Sequence, residues 1–231
     1  MRVLGVDPGT ANCGFALLDA GSLQPVVRDL GTFRSGKDGL LRERIAEFVG
    51  DLLRLVDESK PHVIVAEAPA FPRGAKAAVM VWSAFTGLTA ICQARGIELV
   101  LRNPGEWRRM LALPERKVPP AAKAAKGGLR RGLCKCGGQA RAGKTTCSRC
   151  AERAKLARQA QEERKADTEQ LMKARWPGAP ALLASCPDDA LEHAYDALAI
   201  ATTWLDRAKA PPGATVIVTR PVVQGAFNLE D

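Results

Sequence analysis

Two short apolar segments, Val3-Leu4-Gly5-Val6 and Val63-Ile64-Val65-Ala66, each run straight into an acid, Asp7 and Glu67. Apolar runs of this kind read as strands buried on both faces of a sheet, where charge is normally excluded. Two such strands ending in an acid gather Asp7 and Glu67 at one edge of the sheet. Carboxylates crowded in that way repel one another unless a cation sits between them, and hard divalent ions with oxygen ligands are the usual answer. The turn formers Pro8-Gly9-Thr10 close the first strand and lead into a second apolar run, Cys13 to Leu18.

The pattern continues with a strand at Leu30 to Phe33, a helix from about Gly39 to Val56 and a strand at His62 to Ala66. A long apolar helix near Ala75 to Gln93, a strand at Glu98 to Leu101 and a short helix after Pro104 follow. Three strands joined by tight turns and then strand-helix alternation imply an α/β fold, a mixed sheet with helices on its faces. Further on come an amphipathic helix at about Asp167 to Arg175, a longer one from Pro187 to about Ala208, and an extended run in the tail, Ala214 to Thr219. On the longer helix, Asp188 or Asp189 lies near the start, and His193 and Asp196 are three apart. That spacing puts His193 and Asp196 on one face, able to converge on one ion.

The chain has 231 residues, 46% of them hydrophobic, enough for one ordinary core and something smaller. The longest apolar stretch, Ala77 to Cys92, is interrupted by Ser83, Thr86, Gly87 and Thr89 and is too short to span a membrane. With no basic-then-apolar start, the expected setting is cytoplasmic and reducing, where clustered cysteines bind metal rather than pair. Charge is uneven. Residues 117–165 hold 14 Lys or Arg against 3 Glu, an excess greater than the +9 of the whole chain. Such a block suits a polyanion, most simply nucleic acid, with Lys117, Arg130, Arg131 and Lys144 as contacts. The same stretch has almost no large apolar side chains and cannot build a core by burial. It carries Cys134-Lys135-Cys136-Gly137-Gly138 and, further on, Cys147-Ser148-Arg149-Cys150. These two knuckles supply four thiolates for one structural zinc, Gly137 and Gly138 permitting the tight first turn. Cys13, Cys92 and Cys186 lie in apolar surroundings and read as core.

The pieces Gly5-Val6-Asp7-Pro8-Gly9-Thr10 with Gly14, Val63-Ile64-Val65-Ala66-Glu67, and His193-Ala194-Tyr195-Asp196-Ala197-Leu198-Ala199-Ile200-Ala201 together resemble the RuvC family of Holliday junction resolvases, whose fold is ribonuclease H-like. The helix ending near Phe85-Thr86-Gly87 and Ala166-Asp167-Thr168-Glu169-Gln170-Leu171 look like family segments too. The resemblance covers residues 1 to about 117 and 165 to 208. It implies a five-stranded mixed sheet flanked by helices. The nuclease domain would then fall in two parts, residues 1–117 and 164–210, around a basic zinc-binding insertion of the four-cysteine type at 118–163, with a tail at 211–231.

By that resemblance Asp7, Glu67, His193 and Asp196 are metal ligands for two Mg2+ or Mn2+ ions about 3.5 to 4 Å apart, activating water for in-line phosphodiester hydrolysis. The product would carry a 5′ phosphate. Many members have Asp where His193 stands; an imidazole brings a nitrogen donor and one less negative charge, which weakens cation binding and favours manganese. The family stacks an aromatic residue against junction bases shortly after the second acid. Phe71 has that place here, in a loop reshaped by Pro69 and Pro72, with Arg73 and Lys76 as phosphate contacts. A homodimer supplies two sites for two symmetric nicks, with the helix of Val79, Trp82 and Phe85 as its interface. Three other readings stand beside this one. A broader branched-DNA endonuclease, as in a phage, would share the site. A junction-binding protein without catalysis would share the fold. Sugar kinases and actin-like ATPases share the opening strand-Asp-Gly-Thr turn, but need two such domains and a second phosphate loop that this chain lacks.

Overall fold

The computed structural model describes residues 1–9, 11–21, 24–35, 40–69, 75–115, 147–207 and 218–219. Strands β1 (Arg2–Asp7), β2 (Asn12–Asp19) and β3 (Val26–Arg34) form an antiparallel meander. Helix α1 (Leu41–Ser59) then crosses to β4 (Val63–Glu67), which lies parallel to β1. Helix α2 (Ala75–Arg95) crosses to β5 (Glu98–Arg102), parallel to β4, and a short helix α3 (Pro104–Met110) follows. A two-residue strand β6 (Val218–Thr219) pairs antiparallel with β5, so the order is β3-β2-β1-β4-β5-β6. The five expected strands are present, and β6 adds a sixth at the edge, inside the extended run read at Ala214 to Thr219.

Side-chain alternation divides the core between the two faces of the sheet. Leu4, Val6, Ile64, Ala66 and Leu99 pack with Phe48, Leu52 and Val56 of α1 and with Ala84, Leu88 and Ile91 of α2. Val3, Val63, Val65 and Val100 pack on the other face with Trp107, Met172 and the apolar side of α6 (Leu191–Arg207). That second face reaches a very close fit. A Cβ added at Gly5 would overlap the carbonyl of Ala197, and one added at Gly14 would overlap the carbonyl of His193. Two glycines thus let the backbone of α6 lie directly on β1 and β2, as the loss of a Cβ allows.

The chain divides into two compact units, residues 1–113 with 168–231, and residues 114–167. Helix α4 (Ser148–Arg175) begins in the second and ends in the first. The sequence placed its start near Asp167, and the observed start is about five turns earlier. Between Ser148 and Arg175 there is neither Pro nor Gly, and Ala, Arg, Lys, Glu and Gln predominate. Helix propensity and i,i+4 pairs such as Gln159 with Glu163 at 3.0 Å sustain a helix there without an apolar stripe. The helix expected from Pro187 opens instead as a 3-10 turn, Asp188–Ala190, before α6. A four-residue helix α5 (Ala179–Leu182) has no counterpart in the sequence reading. Cys13 and Cys92 are buried as expected, whereas Cys186 is only half-buried. No described helix is long and apolar enough to cross a membrane.

Candidate active site

The parallel register sets Val6 opposite Ala66, so β1 and β4 release Asp7 and Glu67 at the same edge. Helix α6 starts over that edge and carries His193 and Asp196 on its first turns. His193 Nδ1–H donates to Asp7 Oδ2 at 2.6 Å, and its Nε2 lies 3.6 Å from Glu192 Oε1. That tautomer follows from the carboxylate, which only accepts. Side chains from three elements, the outermost 186 residues apart in sequence at their closest contact, are thereby gathered at one place.

Their electrostatics reflect crowding. Burial, then the charges of Asp7 and Asp196, push the Glu67 carboxyl up to about 8, against the pull of Trp107 and Arg108. Burial and Asp7 raise Asp196 to about 7, opposed by Arg108 and His193. His193 is raised by its hydrogen bond to Asp7, partly offset by desolvation. Asp7, Glu67 and Asp196 crowd three carboxyl groups beside one imidazole, a donor set short of positive charge that fits a divalent cation. Among the described residues no three His, Cys, Asp or Glu side chains already converge in ion-holding geometry. Each donor is engaged by a protein partner instead, His193 by Asp7, Glu67 by Trp107 and Asp196 by Arg108.

These shifts fix a pH dependence. Between their ordinary values near 4 and the raised ones, Glu67 and Asp196 bind more protons folded than unfolded, so stability falls as pH rises through that window. His193, raised as well, adds stability that is full at low pH and is lost as pH climbs through its folded value. All three have the same sign. Metal-free protein should lose on the order of 3 kcal/mol between about pH 5.5 and 8.5. Thermal unfolding in EDTA at several pH values measures it, and Glu67→Gln should flatten the slope. A slope of the opposite sign would refute the assignment.

Helix α3 supplies the partners that the sequence reading missed. Trp107 Nε1–H donates to Glu67 Oε2 at 3.2 Å. The neighbouring Arg108 reaches Asp196 Oδ1 at 3.6 Å and donates to Thr168 Oγ1 at 3.1 Å, with its guanidinium 4.4 Å from the Trp107 ring centroid. Arg34 holds the 3-10 turn that precedes α6, donating to Asp189 at 2.8 Å and to Asn12 at 3.0 Å. Trp107, Arg108 and Arg109, in the short helix after a strand that ends beside Glu67, were the available signal. Of the other predicted residues, Phe71, Arg73, Lys117, Arg130, Arg131, Lys144, Cys134 and Cys136 lie outside the described residues, as does the side chain of Lys76. Cys147 immediately precedes α4 and Cys150 lies in its first turn, where Cys150 N–H donates to Cys147 Sγ at 3.4 Å.

Residues 3–107 match the family model described as crossover junction endodeoxyribonuclease RuvC. Among curated proteins, a crossover junction endodeoxyribonuclease RuvC from Synechocystis sp. is 33% identical over 109 residues, 46% of this chain and 65% of that protein. The one from Prochlorococcus marinus is 29% identical over 101 residues, 44% of this chain and 57% of that protein. The chain spans between half and two thirds of the length of these relatives. Among solved structures, T. thermophilus RuvC in complex with Holliday junction substrate superposes with a TM-score of 0.56 at 16% identity, covering 91% of this chain and 97% of that one. A second Thermus thermophilus RuvC structure gives 0.55 at 17% identity, covering 90% and 96%. The fold is thus the ribonuclease H-like fold of RuvC.

Proposed function

We propose that this chain is a metal-dependent DNA endonuclease of the RuvC type, resolving four-way junctions by paired symmetric nicks that leave 5′ phosphates. The observation that carries the reading is the convergence of Asp7, Glu67, His193 and Asp196 on one sheet edge, with Glu67 and Asp196 pushed up by burial and mutual charge. The match of residues 3–107 to the RuvC model supports it, since both acid-terminated strands fall inside that span.

Asp7, Glu67, His193 and Asp196 would hold Mg2+ or Mn2+, which when bound supplies Lewis acidity and a water acidified enough to attack phosphorus. The protein contributes the rest. Asp7 fixes the ring plane of His193 through the 2.6 Å bond and so selects Nε2 as its outward nitrogen. Arg108 offsets part of the acidic charge at Asp196. The basic segment of residues 117–165 would bind phosphates, with Phe71 stacking on bases and Arg73 and Lys76 near the cut strand.

Two symmetric nicks need two sites, so the active form would be a homodimer. Helix α2 suits that role because it is split. Ala84, Leu88 and Ile91 enter the core, while Val79 is 51% and Trp82 38% exposed. Cys134, Cys136, Cys147 and Cys150 would hold one structural zinc, and the Cys150 N–H donated to Cys147 Sγ is consistent with a thiolate knuckle. Protein purified without chelator should contain one zinc per chain by elemental analysis. Cys134→Ser with Cys147→Ser should lose it while the nuclease core keeps its cooperative unfolding, since that core buries its own apolar faces.

The deciding experiment incubates purified protein with a four-way junction, a fork, a flap and a linear duplex, with Mg2+ or Mn2+, and maps the nicks. Symmetric nicks confined to the four-way junction are expected. Equal cutting of forks and flaps would replace this reading by a broader branched-DNA endonuclease, and binding without cutting would leave a junction-binding protein.

A further inference from the structure

We infer that Trp107 is a positioning residue for this centre, its indole N–H holding Glu67 Oε2 and reserving Oε1 for the cation. The inference rests on the metal-dependent reading above. Trp107 is wholly buried, at 0% exposure, and its Nε1 lies 3.2 Å from Glu67 Oε2. A buried indole normally finds a partner for its single N–H. The same group is used structurally elsewhere, where Trp176 Nε1–H donates to Thr202 Oγ1 at 3.1 Å. At Trp107 the acceptor is instead a carboxylate that Asp7 and Asp196 repel.

The chemistry of the donor is what suits it to the task. A neutral N–H fixes a carboxylate without cancelling its charge, whereas a Lys or Arg in that place would compete with the cation. The ring is itself immobilised. Arg108 lies over it at 4.4 Å and is held in turn by Thr168 and Asp196. Helix α3 follows β5 with Pro104 in its first turn, where a missing N–H costs nothing, and Arg102 of β5 is in register with Glu67. Glu67 is therefore set by two adjacent strands and by the helix that follows one of them. Donors preset in this way bind metal more tightly than donors that must first be ordered.

The test is calorimetric titration of metal-free protein with Mn2+, comparing wild type with Trp107→Phe, which keeps an aromatic ring and removes the N–H. The dissociation constant should rise about 10- to 100-fold, the range for losing a group that orients a metal ligand. Junction affinity in EDTA should be unchanged, and cleavage should recover at saturating Mn2+. Unaltered Mn2+ affinity in folded Trp107→Phe overturns the inference, while a wild type that binds no Mn2+ overturns the metal reading beneath it. If Trp107→Phe shows no cooperative unfolding, nitrogen-15 labelled wild type decides. The indole resonance of Trp107, assigned by elimination with Trp82→Phe, Trp176→Phe and Trp204→Phe, should shift on adding Mg2+ and on substituting Glu67→Gln. A resonance unmoved by both would count against any link between Trp107 and the site.

Discussion

Asp7→Asn should lower junction cleavage by at least about 1000-fold, the loss expected when several kcal/mol of charge stabilisation at a metal site is removed. Junction binding should persist, because the amide has the same size and its oxygen can still accept from His193 Nδ1. The substitution has a second, opposite effect. The Asp7 charge helps to hold up both Glu67 and Asp196, so neutralising it lets both ionise at lower cost. Metal-free Asp7→Asn should therefore unfold at a higher temperature than wild type at about pH 8 while cutting nothing. The charge that the proposed metal role requires thus opposes stability. Normal nicking by the variant would remove Asp7 from the site, and a lower melting temperature would contradict the crowding.

Gly14→Ala is the second large effect, expected in folding rather than chemistry. The new methyl would overlap the His193 carbonyl and sit 2.8 Å from Ala194 N, backbone atoms that cannot rotate away. Overpacking commonly costs about 1–3 kcal/mol, and a backbone obstacle puts this case at about 3 kcal/mol or above. That corresponds to a fall of about 6–12 °C in a domain of this size. Cleavage should drop further than stability does, because the helix that moves carries His193 and Asp196. Gly50→Ala is the matched control. Gly50 lies within α1 with nothing near its missing Cβ. Removing a helical glycine there should raise stability by about 0.5–1 kcal/mol. Equal melting temperatures for the two variants would mean that α6 does not rest on β2 as described.

The acid ends of β1 and β4 were legible because a buried strand tolerates no charge, so a carboxylate marks where burial stops. His193 and Asp196 were legible by their spacing of three on an apolar helix. What was hidden depends on contacts between segments. Nothing local says that Trp107 meets Glu67, 40 residues away, or that Arg108 meets Asp196. The start of α4 was missed because its first turns have helix-forming residues without an apolar stripe, and burial patterns were the guide. Strand β3 begins at Val26, before the expected Leu30, since Arg28 and Asp29 interrupt the apolar signal while the ladder to β2 continues through Asp29. The glycines at 5 and 14 stood in the sequence only as parts of family-like segments, and the helix lying on them shows why a side chain would not fit.

The order in which the site's parts leave the ribosome follows from α6 closing the sheet. Asp7 and Glu67 are made long before His193 and Asp196, by about 6–25 s at ordinary elongation rates. Until α6 arrives, the face of β1 and β2 around Gly5 and Gly14 lacks that helix, and the nascent chain presents an apolar sheet surface suited to chaperones. It also holds only two of the four side chains proposed as ligands, Asp7 and Glu67. The segment that completes the core is also the one that brings His193 and Asp196, so the proposed site stays incomplete until that helix is made.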